Sequence, residues 1–148
     1  MRRGGAVALL LVASTAGLSH ADDLARVRAE PNLEKRARLA LAESDAAMDA
    51  ARSDYQRGDT DRVAGDAAKI IDFVDLAFLS LNQTGKDPRR NPKWFKRAEI
   101  ATRVLLRRMG AFQQAMSFLE RPMLDAVKDS VQQVHDKLLM GLMEGKRK

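Results

Sequence analysis

A chain of 148 residues with 26 basic and 20 acidic side chains, a formal charge of +6 and no cysteine is long enough for one domain with a core of its own. The missing thiols exclude disulfides, thiolate metal sites and cysteine nucleophiles, so packing alone must hold the fold. The charge is far from that of a polycation, and apolar runs rich in alanine and leucine, with few glycines and prolines between them, exclude a β-rich or low-complexity chain.

The first residues read as a leader. A short basic segment, MRRGG, precedes the apolar run AVALLLVASTAGLS, about 14 residues where a bilayer span needs roughly 20. Ser19, His20 and Ala21 then place small residues where a signal peptidase reads. The pattern predicts a secretory signal peptide over 1–21, cut between Ala21 and Asp22, and an exported protein, periplasmic or extracellular, whose mature chain has no transmembrane helix. Arg2 and Arg3 lack the continuation of a twin-arginine signal, which favours the general secretory route. No cysteine follows the run, so no lipid anchor is attached there.

Residues 22–30 carry Leu24 and Val27 and predict a short helix or a frayed segment ended by Pro31. The domain proper is expected over 31–144, with 145–148 a disordered basic tail. Its first long helix runs from Pro31 to about Arg57, with an inner face of small residues, Ala37, Ala40, Ala47 and Ala51 among them. Gly58-Asp59-Thr60 is a short turn that enforces an antiparallel hairpin with the next helix. That second helix is the organising one. In RVAGDAAKIIDFVDLAFLSL, Val63, Ala67, Ile70, Ile71, Val74, Ala77, Phe78 and Leu81 share a face, with Asp66, Lys69 and Asp72 opposite. Phe73, Leu76 and Leu79 widen the apolar arc beyond a surface helix's stripe of roughly 100° and form a candidate face for a protein partner or a homodimer.

After KDPRRNP, Asn91 and Pro92 read as cap and first turn of a third helix running towards Leu119, with Trp94, Ala98, Ala101, Leu105, Phe112, Ala115, Met116 and Leu119 as its buried stripe. Gly110 in its middle marks close packing or a bend. Pro122 turns the chain, and a fourth helix to about Glu144 carries the seam Leu124, Val127, Val131, Val134 and Leu138. The expected architecture is all-α, an up-down bundle of about four helices. Tyr55 to Asp59, YQRGD, resembles the turn between the helices of a tetratricopeptide unit. Val63 and Ile70 stand where that family has small residues, Ala47 where it has an aromatic one, and no second copy follows about 34 residues on.

No constellation of residues reads as a catalytic centre, and neither a cofactor nor a metal is expected. A hydrolase or a metal-dependent enzyme, the remote alternative, would have to use Asp72, Asp75 or His135; His135 has Gln132, not glutamate, three positions before it, and so lacks the bundle metal motif. Asp72 and Asp75 could share a cation or do acid–base work, or be solvated charges. No serine sits in a nucleophile elbow and no glycine-rich phosphate loop occurs. Met109, Met116, Met123, Met140 and Met143 crowd the last third, as core filler or as an adaptable groove. The strongest local anomaly is KDPRRNPKWFKR, where Lys86, Arg89, Arg90, Lys93, Lys96 and Arg97 surround Trp94 with a single acid among them. Such a segment suits anionic lipid headgroups or an acidic polymer, or is a solvated loop; an exported protein argues against nucleic acid as its partner.

Overall fold

The computed structural model describes residues 20–145, which form five α-helices and a 3-10 turn with no strand among the described residues. The expected leader therefore lies outside the described residues, except for His20 and Ala21, and of the expected tail only Gly145 is described. Among the described residues no helix is long and apolar enough to cross a membrane.

Helix α1, His20–Arg28, is docked, not frayed. Val27 is fully buried, Arg26 pairs with Glu43 at 2.6 Å, and the His20 imidazole meets Asp72 at 2.7 Å while standing edge-on to Phe73. Helix α2, Leu33–Gln56, starts where Asn32 Oδ1 accepts the Lys35 amide at 2.9 Å, and α3, Thr60–Gln83, where Asp59 Oδ1 accepts that of Arg62 at 3.2 Å. Between them Gly58 supplies a φ of +76° that a side chain would resist, and the chain reverses. Ala37, Ala40, Ala47 and Ala51 keep the facing surface of α2 low, so α3 lies closely along it and buries Val63, Ala67, Ile70, Val74, Ala77 and Leu81.

Helices α4, Pro92–Ala115, and α5, Asp125–Glu144, complete the core. Helix α4 packs on α2 and α5, while α3 stands across the core from it. The register of α4 differs from the expected stripe. Phe95, not Trp94, enters the core, followed by Ala98, Thr102, Leu105, Met109 and Phe112, and Trp94 is half-buried. The helix also ends four residues early. Met116 is extended, and Ser117 donates its amide to the Tyr55 hydroxyl at 2.9 Å; that hydroxyl and the Ser117 hydroxyl each donate to Glu120 at 2.7 Å. This knot fastens the α4–α5 turn to the end of α2 and leaves Phe118 and Leu119 80% and 88% exposed. Pro122 sits in the 3-10 turn Arg121–Leu124 that leads into α5, whose seam Val127, Val131, Val134 and Leu138 is buried as its spacing predicts.

Gly110 marks neither close packing nor a break: α4 runs through it, and a Cβ there would meet nothing within 4 Å. Gly110→Ala should therefore raise stability by about 0.5–1 kcal/mol, read as a higher urea midpoint at unchanged slope.

Candidate functional site

The segment from Thr84 to Arg97 is a folded corner, not a loose loop. The Thr84 hydroxyl donates to the Leu81 carbonyl at 2.6 Å and accepts the Lys86 amide at 3.2 Å, closing the end of α3. Asp87 then turns the chain on itself: its carboxylate accepts the Arg89 amide at 2.9 Å, and its carbonyl accepts those of Arg90 at 3.1 Å and Asn91 at 2.8 Å. Pro88 packs against Gly141 of α5, and the Arg89 stem lies so near Gly145 that a Cβ there would stand 2.9 Å from its Cδ. Gly145 also holds a φ of +77°, so glycine is required there twice over.

Beyond this turn, Pro92 opens α4 without any side-chain cap, since Asn91 makes no capping bond. The first amides of the helix are thus left to solvent or to an anion, and the helix dipole adds positive potential there. A groove of about 540 Å³ lies against this end, lined by Glu34, Lys86, Asn91, Pro92, Lys93, Trp94, Lys96, Arg97 and Ile100. Lys86 pairs with Glu34, the groove's one acid. The Trp94 ring has Lys93 at 5.2 Å and Arg97 at 4.7 Å from its centroid, an arrangement that holds both cations over an aromatic face. A smaller slot of about 190 Å³, lined by Ala37, Leu41, Leu81, Trp94 and Ala101 with the stems of Arg38 and Arg97, opens beside the same ring. Five of the seven expected anion-binding residues therefore line one groove. Arg89 and Arg90 do not; they are exposed on the turn that leads into it.

The candidate partner face separates. Phe73 is buried under His20, and Leu76 is buried too, leaving Leu79 alone exposed, at 56%. The wide arc that suggested a docking face is explained by α1, which covers α3 from outside the four long helices. Asp72 and Asp75 line a depression with Arg28 and Arg36, and partial burial together with Asp72 pushes the Asp75 carboxyl up against the opposing pull of Lys137. His135 is elsewhere, buried between α4 and α5. Its Nδ1 is 3.1 Å from the Thr102 hydroxyl, which also lies within hydrogen-bond distance of the Ala98 and Glu99 carbonyls. The three candidate catalytic groups are not brought together. Among the described residues no three metal-binding side chains converge. Of the methionines, Met109 and Met116 fill the core while Met140 and Met143 are exposed on α5.

Sequence reasoning missed one cluster. Asp66, expected on the polar side of α3, is buried against Asp54 of α2, also buried. Burial, the hydrogen bond with Asp54 and the charge of that neighbour raise Asp66 to about 6; the same hydrogen bond, ahead of Arg57, holds Asp54 low. One proton between two carboxyls accounts for both directions. Arg57 pairs with Asp54, Lys69 stands 3.9 Å from Asp66 Oδ1, and Asp66 Oδ2 accepts no hydrogen bond among the described residues. The signal was present in the spacing: Val63, Asp66, Ala67 and Ile70 share one stripe, as do Ala47, Ala51 and Asp54.

No protein-family model matches the chain, and no curated protein and no solved structure matches it.

Proposed function

We propose that this chain is an exported, non-enzymatic binding module, an up-down bundle of four long helices with α1 packed on it, whose ligand is anionic envelope material. The observation that carries the reading is the folded basic corner: Lys86, Lys93, Trp94, Lys96 and Arg97 around one groove at an uncapped helix N-terminus, with Arg89 and Arg90 exposed on the turn before it. Backbone amides, guanidinium forks and an aromatic face are the groups that phosphate and carboxylate ligands need. Lys86 is partly neutralised by Glu34, so the net positive field comes from the other bases.

Retention of the chain starting at Asp22 on phosphocellulose tests it. Binding should be strong at about 50 mM NaCl and lost by about 500 mM, as exposed charges are screened. Arg89→Ala with Arg90→Ala should weaken it by about tenfold at low salt. Retention indifferent to both salt and the double substitution would end the reading.

A further inference from the structure

The basic character does not stop at the groove. Helix α4 carries a single acid, Glu99, and that residue faces inward beside His135. No exposed residue of α4 is acidic, and the bases Lys93, Lys96, Arg97, Arg103 and Arg107 are all exposed along it. Arg103 pairs with Glu99 at 3.4 Å, whereas Lys96 and Arg107 make no ion pair among the described residues. Arg108, by contrast, turns sideways to Asp45 and Asp49 of α2 and belongs to the packing between those helices. At the middle of the basic face Ile100 and Val104 stand 46% and 42% exposed, one turn apart, with nothing among the described residues over them.

The outer faces of α3 and α5 have the opposite sign. Across the core from α4, the exposed charges of α3 are Asp61, Asp72 and Asp75 against Arg62 alone, and on α5 only Lys137 stands among exposed acids. The outer face of α4 is therefore positive with an apolar centre, while exposed acids outnumber exposed bases on α3 and α5. A soluble polyanion would be satisfied by the bases alone. Two aliphatic side chains held out among them match a different surface, a plane of anionic headgroups with hydrocarbon beneath, against which bases lie at the headgroups while apolar side chains reach below them.

We infer that the outer face of α4 lies flat on an anionic phospholipid bilayer, Ile100 and Val104 turned towards the acyl chains and Lys93, Lys96, Arg97 and Arg107 at the headgroups. This rests on the anionic-ligand reading above and narrows it to lipid. From Lys93 to Arg107 this face of α4 offers a contact strip of roughly 21 Å. Trp94, the chain's one tryptophan, sits at the end of the strip where an indole favours the interface.

The absence of cysteine from the whole chain makes the test direct. Val104→Cys carrying an environment-sensitive fluorophore is mixed with vesicles of phosphatidylglycerol and phosphatidylcholine, or of phosphatidylcholine alone. The label should shift to the blue and gain intensity only with the anionic vesicles, and a label at Asp129→Cys on α5 should not respond. Val104→Ser, a position outside the groove lining, should weaken vesicle binding by about fivefold while leaving phosphocellulose retention unchanged; Lys96→Glu with Arg107→Glu should abolish vesicle binding. Circular dichroism of each variant checks that the helices persist. Vesicle binding that ignores the serine substitution, or a label at 104 that stays in water while the protein is bound, would overturn the bilayer inference and leave the anionic-ligand reading standing. Retention by neither vesicles nor phosphocellulose would remove both.

Discussion

Phe73→Ala is expected to cost about 3–5 kcal/mol, the range for emptying an aromatic site in a core. The side chain is 1% exposed, sits among Ile70, Val74 and Ala77 on its own helix, and receives the edge of His20 at a centroid distance of 5.6 Å. A residue that waited for a partner would show little change in the isolated chain and a large one in an assembly. Leu79→Ala serves as the contrast, because Leu79 projects from the same helix into solvent and its truncation should stay within about 0.5 kcal/mol. Urea unfolding of the two variants, followed by helix signal, reads the difference directly. Equal and small losses in both would return Phe73 to the outer surface.

The second large effect is a stability that falls as the solution approaches neutrality. Asp66 is raised to about 6 in the folded chain from an ordinary value of 3.8, so the folded state holds a proton that the unfolded state has released. The sign follows: the contribution is complete below the unfolded value and is lost as pH rises through about 6. With Arg62 and Lys69 at the mouth and some access of water, the loss between pH 5 and 7.5 should be about 1–2 kcal/mol. Carboxylates held low act in the other direction in stronger acid. Glu30 is held down first by its hydrogen bond with Lys35, and Glu120 by those with Tyr55 and Ser117, so stability should turn over and fall again once these groups are protonated. Asp66→Asn supplies a permanent amide donor to Asp54. It should flatten the profile between pH 5 and 7.5 and raise stability at the upper end; a profile still sloping downwards there would place the proton elsewhere.

Both expectations concern residues that the sequence displays in different degrees. The helices were legible because apolar spacing of three and four, together with Asn32, Asp59, Gly58 and Pro92 at their ends, leaves few alternatives. The buried stripe of α5 could be read off for the same reason. What spacing could not convey was which side of a helix apolar all round would be covered by a short neighbour. Phe73 is surplus to a four-helix bundle and is taken up by His20 of α1, while Leu76 lines a depression that Arg28 of α1 shares. Ring size does not decide the register of α4 at Trp94: Phe95, which has no polar edge, enters the core, while the Trp94 ring is faced by Lys93 and Arg97. The early end of α4 depends on Tyr55, 62 residues from Ser117, and no local pattern announces such a tie. The charge of Asp66 argues for the outside of the bundle, whereas its position in the stripe is an inner one.

The place of His20 carries one more consequence. Were the chain cut between Ala21 and Asp22, this imidazole would be lost, leaving Asp72 without that partner and Phe73 without the T-shaped ring contact. Forms of the polypeptide with and without His20 would then differ in how the start of α1 is tied to α3, and the longer form should be the harder of the two to unfold.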